Sequence, residues 1–252
     1  MKKNWVAIIL FSVPAFFPLT SLAAESSSLF AQANAKYAAG DFKAAASLYQ
    51  EIVDSKEATA AVYYNLGNAD LRLGKKGLAL ICYERALKVS PRDKDLRWNL
   101  NVLRTALPDR IEEGDVNFVV SFLRKTVGFV TVDELGLLLA AALGLLAGLA
   151  ILRFFLPSSR LWTRPLRGLL WVLVVTSAIL FLFKWTRIRD PRVVVLQGQV
   201  YAHYGPSDKE TKAFLLHEGA EGRVMDESKG WYYILLKNKN TGWIPKESCE
   251  VV

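Results

Sequence analysis

Leu135–Leu152 reads LGLLLAAALGLLAGLAIL, 18 residues without a charge, and Gly168–Phe183 reads GLLWVLVVTSAILFLF, 16 more. As helices these runs would extend roughly 27 Å and 24 Å, close to the ~30 Å hydrocarbon core of a bilayer. Arg153, Arg167 and Lys184 flank the runs, and long basic side chains can snorkel to lengthen the span. The pattern predicts a transmembrane hairpin, with helices at 135–155 and 166–185 and a loop at 156–165. A hairpin in the core of a soluble protein is the alternative. The first run speaks against it, being uncharged all round rather than amphipathic. Gly136, Ala140, Gly144 and Gly148 recur every four residues and form one small-residue stripe. Such a stripe admits close approach of another helix. That helix could be the second span, another copy or a different membrane protein. Neither run has a charge at its centre, which argues against a proton path or an ion channel.

Composition agrees with this reading. The chain has 252 residues, 52% of them hydrophobic, and a net charge of +8. Its mean hydropathy is +0.20 and its pI is near 9.4. No Lys/Arg tract is interleaved with aromatics, so nucleic acid is not an expected partner. The basic residues cluster beside the apolar runs, where anionic headgroups explain them more simply. Cys82 and Cys249 are far apart and form neither a disulfide framework nor a zinc site.

Met1–Ala24 has the layout of a secretory signal peptide. Lys2 and Lys3 precede an apolar stretch, Trp5–Phe17, and Ser21–Ala24 supplies small residues for cleavage after Ala23 or Ala24. An uncleaved anchor is the alternative. Either way the next segment is exported. The first span would then run inward, and the loop at 156–165 would be cytoplasmic. Arg153, Arg160, Arg164 and Arg167 fit that orientation. Lys184, Arg187, Arg189 and Arg192, beyond the second span, pull the other way.

From Ser26 onward the chain repeats with a period of 34. Gly40 and Gly74, Ala45 and Ala79, and Tyr49 and Tyr83 correspond. The second copy, 60–93, also carries Tyr63, Leu66, Gly67, Ala86 and Pro91. It resembles the tetratricopeptide repeat, a helix–turn–helix unit of that period. The first copy, 26–59, is degenerate. A third A-type helix, Asp95–Leu107, has Trp98, Leu100 and Leu103 on an apolar side and Arg97 and Arg104 outside. With no helix B to follow, it reads as a cap that closes the domain at 26–107. The resemblance implies a groove lined by the A helices that holds an extended peptide, with Asn34, Asn65, Asn68 and Arg72 facing it. Asn34 and Asn65 match two positions of the carboxylate clamp of chaperone-binding members. The clamp's cation is replaced by Phe30, and the third helix offers Asp95 and Asn99. Residues 116–130 have the pattern of a helix that lies on the membrane surface or packs on the repeats.

Pro191–Val252 switches to strand patterning. Six short strands are expected: Arg192–Leu196, Gln199–Tyr204, Phe214–Leu216, Gly222–Met225, Trp231–Leu236 and Gly242–Pro245. Leu216-His217-Glu218-Gly219, Gly230-Trp231-Tyr232 and Thr241-Gly242-Trp243-Ile244-Pro245 resemble bacterial SH3-like domains. That implies a five- to six-stranded barrel held by Trp231, Trp243, Tyr233 and Phe214. It also implies a peptide groove for which Tyr201, Tyr204 and Trp243 are candidates.

The fold class read from these parts is a multidomain α + β membrane protein. It joins tetratricopeptide hairpins, a two-helix transmembrane hairpin and an SH3-like barrel. No catalytic motif, phosphate loop or metal-ligand spacing appears, so no enzymatic activity, metal or cofactor is expected. The order of modules resembles the BatE-type proteins of the bacterial aerotolerance operon. That resemblance implies an inner-membrane scaffold with both soluble domains in the periplasm. It also implies von Willebrand A-domain and BatD-type partners in an envelope-stress complex. Peptidoglycan binding through the SH3-like part is the alternative function.

Overall fold

A computed structural model of the chain describes residues 19–109, 128–155, 160–188 and 191–252. Residues 1–18 of the expected signal peptide and most of the expected helix at 116–130 lie outside this range. Seven α-helices and seven strands make up the described residues. The first helix, α1 (Leu19–Ala38), is followed by α2 (Phe42–Asp54), α3 (Ala60–Arg72), α4 (Lys76–Val89) and α5 (Lys94–Thr105). The expected cleavage site at Ala23 or Ala24 falls within α1.

Helices α1/α2 and α3/α4 form two antiparallel hairpins, and α5 packs on α4. Each hairpin turns at a glycine with positive φ, Gly40 at +80° and Gly74 at +78°. Both values lie in the left-handed region, which side chains disfavour. Ala33, Ala45, Tyr49, Ile52, Val62 and Leu66 form one apolar core. Ala79, Leu80, Tyr83, Ala86, Leu96, Leu100 and Leu103 form a second. Trp98, expected on the apolar side of α5, is instead 68% exposed. The positions that face α4 run Leu96, Leu100, Leu103 and Leu107, and Trp98 lies off that row.

The next two helices, α6 (Val132–Phe155) and α7 (Arg160–Ile188), pair as a hairpin. Helix α7 begins inside the loop expected at 156–165. Its Pro165 lies inside the helix, past the first turn, and so withholds one i→i−4 backbone bond. Both helices are long and apolar enough to cross a membrane. Only 11% and 17% of their apolar windows are buried. Their contact seam is spaced alternately by four and three, the period of left-handed helix pairs. On α6 it runs Leu135, Leu139, Ala142, Leu146 and Leu149, and on α7 it runs Leu170, Val174, Ser177 and Phe181. Leu137 and Leu169 point away and are 73% and 67% exposed.

The C-terminal β-domain is one antiparallel sheet of β1 (Arg192–Val195), β2 (Gln199–His203), β3 (Lys212–His217), β4 (Glu221–Ser228), β5 (Trp231–Leu236), β6 (Thr241–Pro245) and β7 (Cys249–Val251). Their order in the sheet is β3-β2-β6-β5-β4-β1-β7. The seventh strand, β7, was not expected. Three residues are too few to show alternation, and its place is set by pairing with β1, Val195 opposite Cys249. The core is aliphatic rather than aromatic: Val193, Val195, Val200, Leu216, Ile234, Leu236 and Ile244. Trp231 is buried against His203, with ring centroids 5.4 Å apart, while Phe214 packs at the margin.

Candidate functional site

Three surfaces stand out, one on the repeats, one on the β-domain and one between them. Along the face shared by α1, α3 and α5, the phenol of Tyr49 donates to Asn34 Oδ1 at 2.6 Å. Tyr83 donates to Asn68 Oδ1, also at 2.6 Å. The two pairs are the same bond repeated 34 residues on. Burial pushes both phenols above their ordinary value, so they act as neutral donors. Asn65 Nδ2 reaches across to Asn34 Oδ1 at 3.0 Å, and Asn99 Nδ2 donates to the Tyr64 hydroxyl at 2.7 Å. A polar ladder thus joins the A-type helices. Asn34 and Asn68 anchor it rather than standing free, and Asn99 and Tyr64 extend it beyond the expected residues. Arg72 lies apart, its guanidinium 4.8 Å over the Phe42 ring. Beside Asn99, Trp98 and Val102 leave apolar surface exposed on α5.

The second surface is on the β-domain. Tyr201 and Tyr204 are exposed, and Lys212 Nζ sits 3.8 Å over the Tyr201 ring. Trp243 is half-buried and pairs with Tyr233, centroids 5.1 Å apart. His203 pairs in register with Trp243, so Tyr201 and Trp243 belong to neighbouring strands. His203 is buried, its Nδ1 2.9 Å from the Glu210 carbonyl.

The third surface is internal and was not visible in the sequence: the β-domain is docked on the repeats. Strand β1 is buried on both faces. Val193 and Val195 enter the β-domain core, while Val194 enters the repeat core beside Leu100 and Leu103. That explains its unalternating β-branched run. Helices α2, α3 and α5 take N-terminal caps from Asp41, Thr59 and Asp93. Helix α4 has no such cap of its own. Instead Gly77 N donates to Glu218 Oε1 of the β-domain at 2.7 Å. Arg104, read as an outward residue, bridges the modules. Its guanidinium bonds Glu221 at 2.7 and 3.1 Å and also contacts Glu84. Burial opposes ionisation of Glu221, but the Arg104 charge outweighs it and holds the carboxyl below its ordinary range. Arg85 pairs with Glu250 at 2.7 Å. Asp109 accepts from the His217 backbone N–H at 2.6 Å and lies 3.0 Å from its Nδ1. This pairing across the fold gives His217 an acidic partner.

The repeats are also tied to the apolar hairpin. Arg92 makes two 3.0 Å bonds to Glu134 at the start of α6. Arg97 lies 4.4 Å over Phe129, and Lys184 of α7 donates to the Val130 carbonyl. Of the small-residue stripe, Gly136 alone faces α7, with Phe181 3.9 Å from where a Cβ would stand. Ala140, Gly144 and Gly148 are on the exposed side. The two thiols are free. Burial pushes Cys82 up to about 12 and Cys249 up to about 11, so both are held as thiols rather than thiolates at neutral pH.

Residues 60–93 match the family model of the tetratricopeptide repeat. No curated protein sequence matches the chain. Among solved structures, the chain is similar to the C-terminal SH3 domain of myosin IB from Entamoeba histolytica, at 24% identity and a TM-score of 0.18. That match covers 25% of this chain and 93% of the other.

Proposed function

We propose that this chain is a non-enzymatic, membrane-anchored adaptor that assembles protein partners of the cell envelope. The observation that carries this reading is the coupling of its parts. A peptide-binding type of repeat stack, the apolar hairpin and the β-domain are held to one another by ion pairs and a shared strand. A flexible tether would need none of these. The reading places α6 and α7 across a bacterial inner membrane. Both soluble modules then lie on the periplasmic side, because the β-domain packs on the repeats and an even number of crossings is required. The expected signal peptide at 1–24 sets which side that is.

The partner class follows from the resemblance to BatE-type proteins: von Willebrand A-domain and BatD-type membrane proteins of an aerotolerance complex. The exposed Trp98 and Val102 beside the Asn–Tyr ladder supply an apolar and polar surface for an extended segment of such a partner. Crosslinking of the full chain in its native membrane, followed by identification of the captured proteins, tests the reading. Recovery of A-domain or BatD-type proteins, lost on Trp98→Ala with Asn65→Ala, is expected. Failure to recover either class would overturn the complex assignment.

One observation favours the alternative of cell-wall binding: Tyr201 and Tyr204 both expose aromatic rings on the β-domain, and Lys212 lies over that of Tyr201. Retention of the full chain on isolated peptidoglycan, abolished by Tyr204→Ala, would favour that function. No retention would eliminate it.

A further inference from the structure

A cavity of about 650 Å³ opens where the repeats, the hairpin and the β-domain meet. Its floor and walls come from α4 and α5, from Thr131 and Val132 at the entry to α6, and from Lys184 near the end of α7. The entry to one membrane-length helix and the exit of its neighbour lie at the same end of an antiparallel hairpin. On the membrane reading of that hairpin, the cavity is therefore at headgroup depth.

Its lining has the two characters of a lipid. Leu87, Pro91 and Val132 supply apolar wall, and four cations, Lys88, Arg104, Lys184 and Arg192, are set against two carboxylates, Glu84 and Asp133. Glu84 is already engaged by Arg104 and lies 3.6 Å from Arg192. Lys88 has no carboxylate within ion-pair distance among the described residues. Burial and then the Arg192 charge push its ammonium below the ordinary lysine value. Two cations that repel one another across a partly desolvated cavity are stabilised when an anion enters between them.

We propose that this cavity holds the phosphate-bearing headgroup of an anionic phospholipid, met by Lys88 and Arg192. The proposal rests on the membrane reading of α6 and α7. It adds to that reading a specific lipid contact at the joint of all three modules. Such a contact would bind the repeats and β-domain to the bilayer surface beyond what the two spans do.

The full chain is reconstituted into vesicles of phosphatidylcholine alone, or of an equimolar mixture with phosphatidylglycerol. Flotation reports insertion, and native mass spectrometry after mild detergent extraction counts the lipid retained. Preferential retention of phosphatidylglycerol is expected. Lys88→Gln should weaken it about five-fold, the usual effect of one cation near an anionic surface, and Lys88→Arg should restore it. Lys88 stands at an exposed position of α4 and makes no ion pair among the described residues, so neither variant should change the melting of the chain. Equal retention of the two lipids, or no effect of Lys88→Gln and Arg192→Gln, would overturn the proposal. Displacement of the lipid by equimolar inorganic phosphate would also overturn it, and would make the site one for a soluble anion. A chain that does not float in either vesicle would refute the membrane reading itself, a failure separable from loss of lipid preference.

Discussion

Asp70 is a carboxylate with 5% exposure on the buried side of α3. Burial, with a smaller push from Glu250 and against the pull of Lys75, raises it from 3.8 to about 6. Below 3.8 the folded and unfolded chains both hold the proton, and the residue costs no stability. As pH rises from 3.8 to about 6 the unfolded chain ionises first, so stability falls. Asp70→Asn should therefore stabilise the chain by about 1–3 kcal/mol at neutral pH and by almost nothing in acid. Denaturant melts of wild type and variant at both pH values measure this. A gain independent of pH would contradict the assignment. Glu218 acts in the opposite direction. It supplies the cap that α4 lacks, at the positive end of the helix dipole. Glu218→Ala should lower stability by about 1 kcal/mol, read as a shift in thermal midpoint, and Glu218→Gln by less. Gly219 shows how closely the modules fit. Its φ is +86°, and a Cβ there would stand 2.5 Å from Leu107. Nothing in Leu216-His217-Glu218-Gly219 announces these roles, because a cap that comes from 141 residues away leaves no local spacing to read.

At the scale of elements, periodic features were legible and pairwise ones were not. Gly40 and Gly74, Ala45 and Ala79, and Tyr49 and Tyr83 recur at a period of 34, so the α3/α4 unit is legible in the sequence. The apolar runs of α6 and α7 were legible from hydropathy, but the start of α7 was not. Arg160, Arg164 and the prolines resemble loop composition although the helix already includes Arg160. The β-branched run of β1 marks a strand, but its burial on both faces depends on Val194 entering the repeat core, which no local pattern shows. For Trp98 and Arg104 of α5 the helical pattern points to the wrong sides, since one helical face cannot be oriented without what covers it. Arg104 carries the element-scale prediction. Arg104→Met would take from the carboxylates of Glu84 and Glu221, 7% and 12% exposed, the guanidinium they share, leaving only Arg192, 3.6 Å from Glu84. Loss of one partner of such a buried group costs about 2–4 kcal/mol, the lower part of the range for an arginine that still meets water. The pH dependence should also reverse. In the wild type Glu221 is held below its ordinary range, so its contribution is present above the unfolded value and lost as pH falls. In the variant burial of Glu221 is no longer outweighed by Arg104, so acid, by protonating it, recovers stability. A melt that worsens in acid to the same degree in both proteins would refute the network.

For the whole molecule, the contact between repeats and β-domain constrains topology more firmly than the flanking charges do. Basic residues stand at both ends of the hairpin, so charge counting alone is ambiguous. The interface is not: Gly77 meets Glu218, Arg85 meets Glu250 and Arg104 meets Glu221, each pair separated in sequence by both apolar helices. Modules on opposite sides of a bilayer could make none of these bonds. Three fusions of a compartment-sensitive reporter, after Thr105, after Thr163 and after Val252, test the consequence. The first and last should report the same compartment, and the middle one the opposite. On the proposed function, with its expected export signal, the shared compartment would be the periplasm. If Thr105 and Val252 share a compartment that proves to be the cytoplasm, the hairpin and the interface survive but the orientation is inverted. If they report opposite compartments, only one helix crosses. The joint of repeats, hairpin and β-domain could then not form in the membrane, and neither the adaptor function nor the lipid cavity would stand.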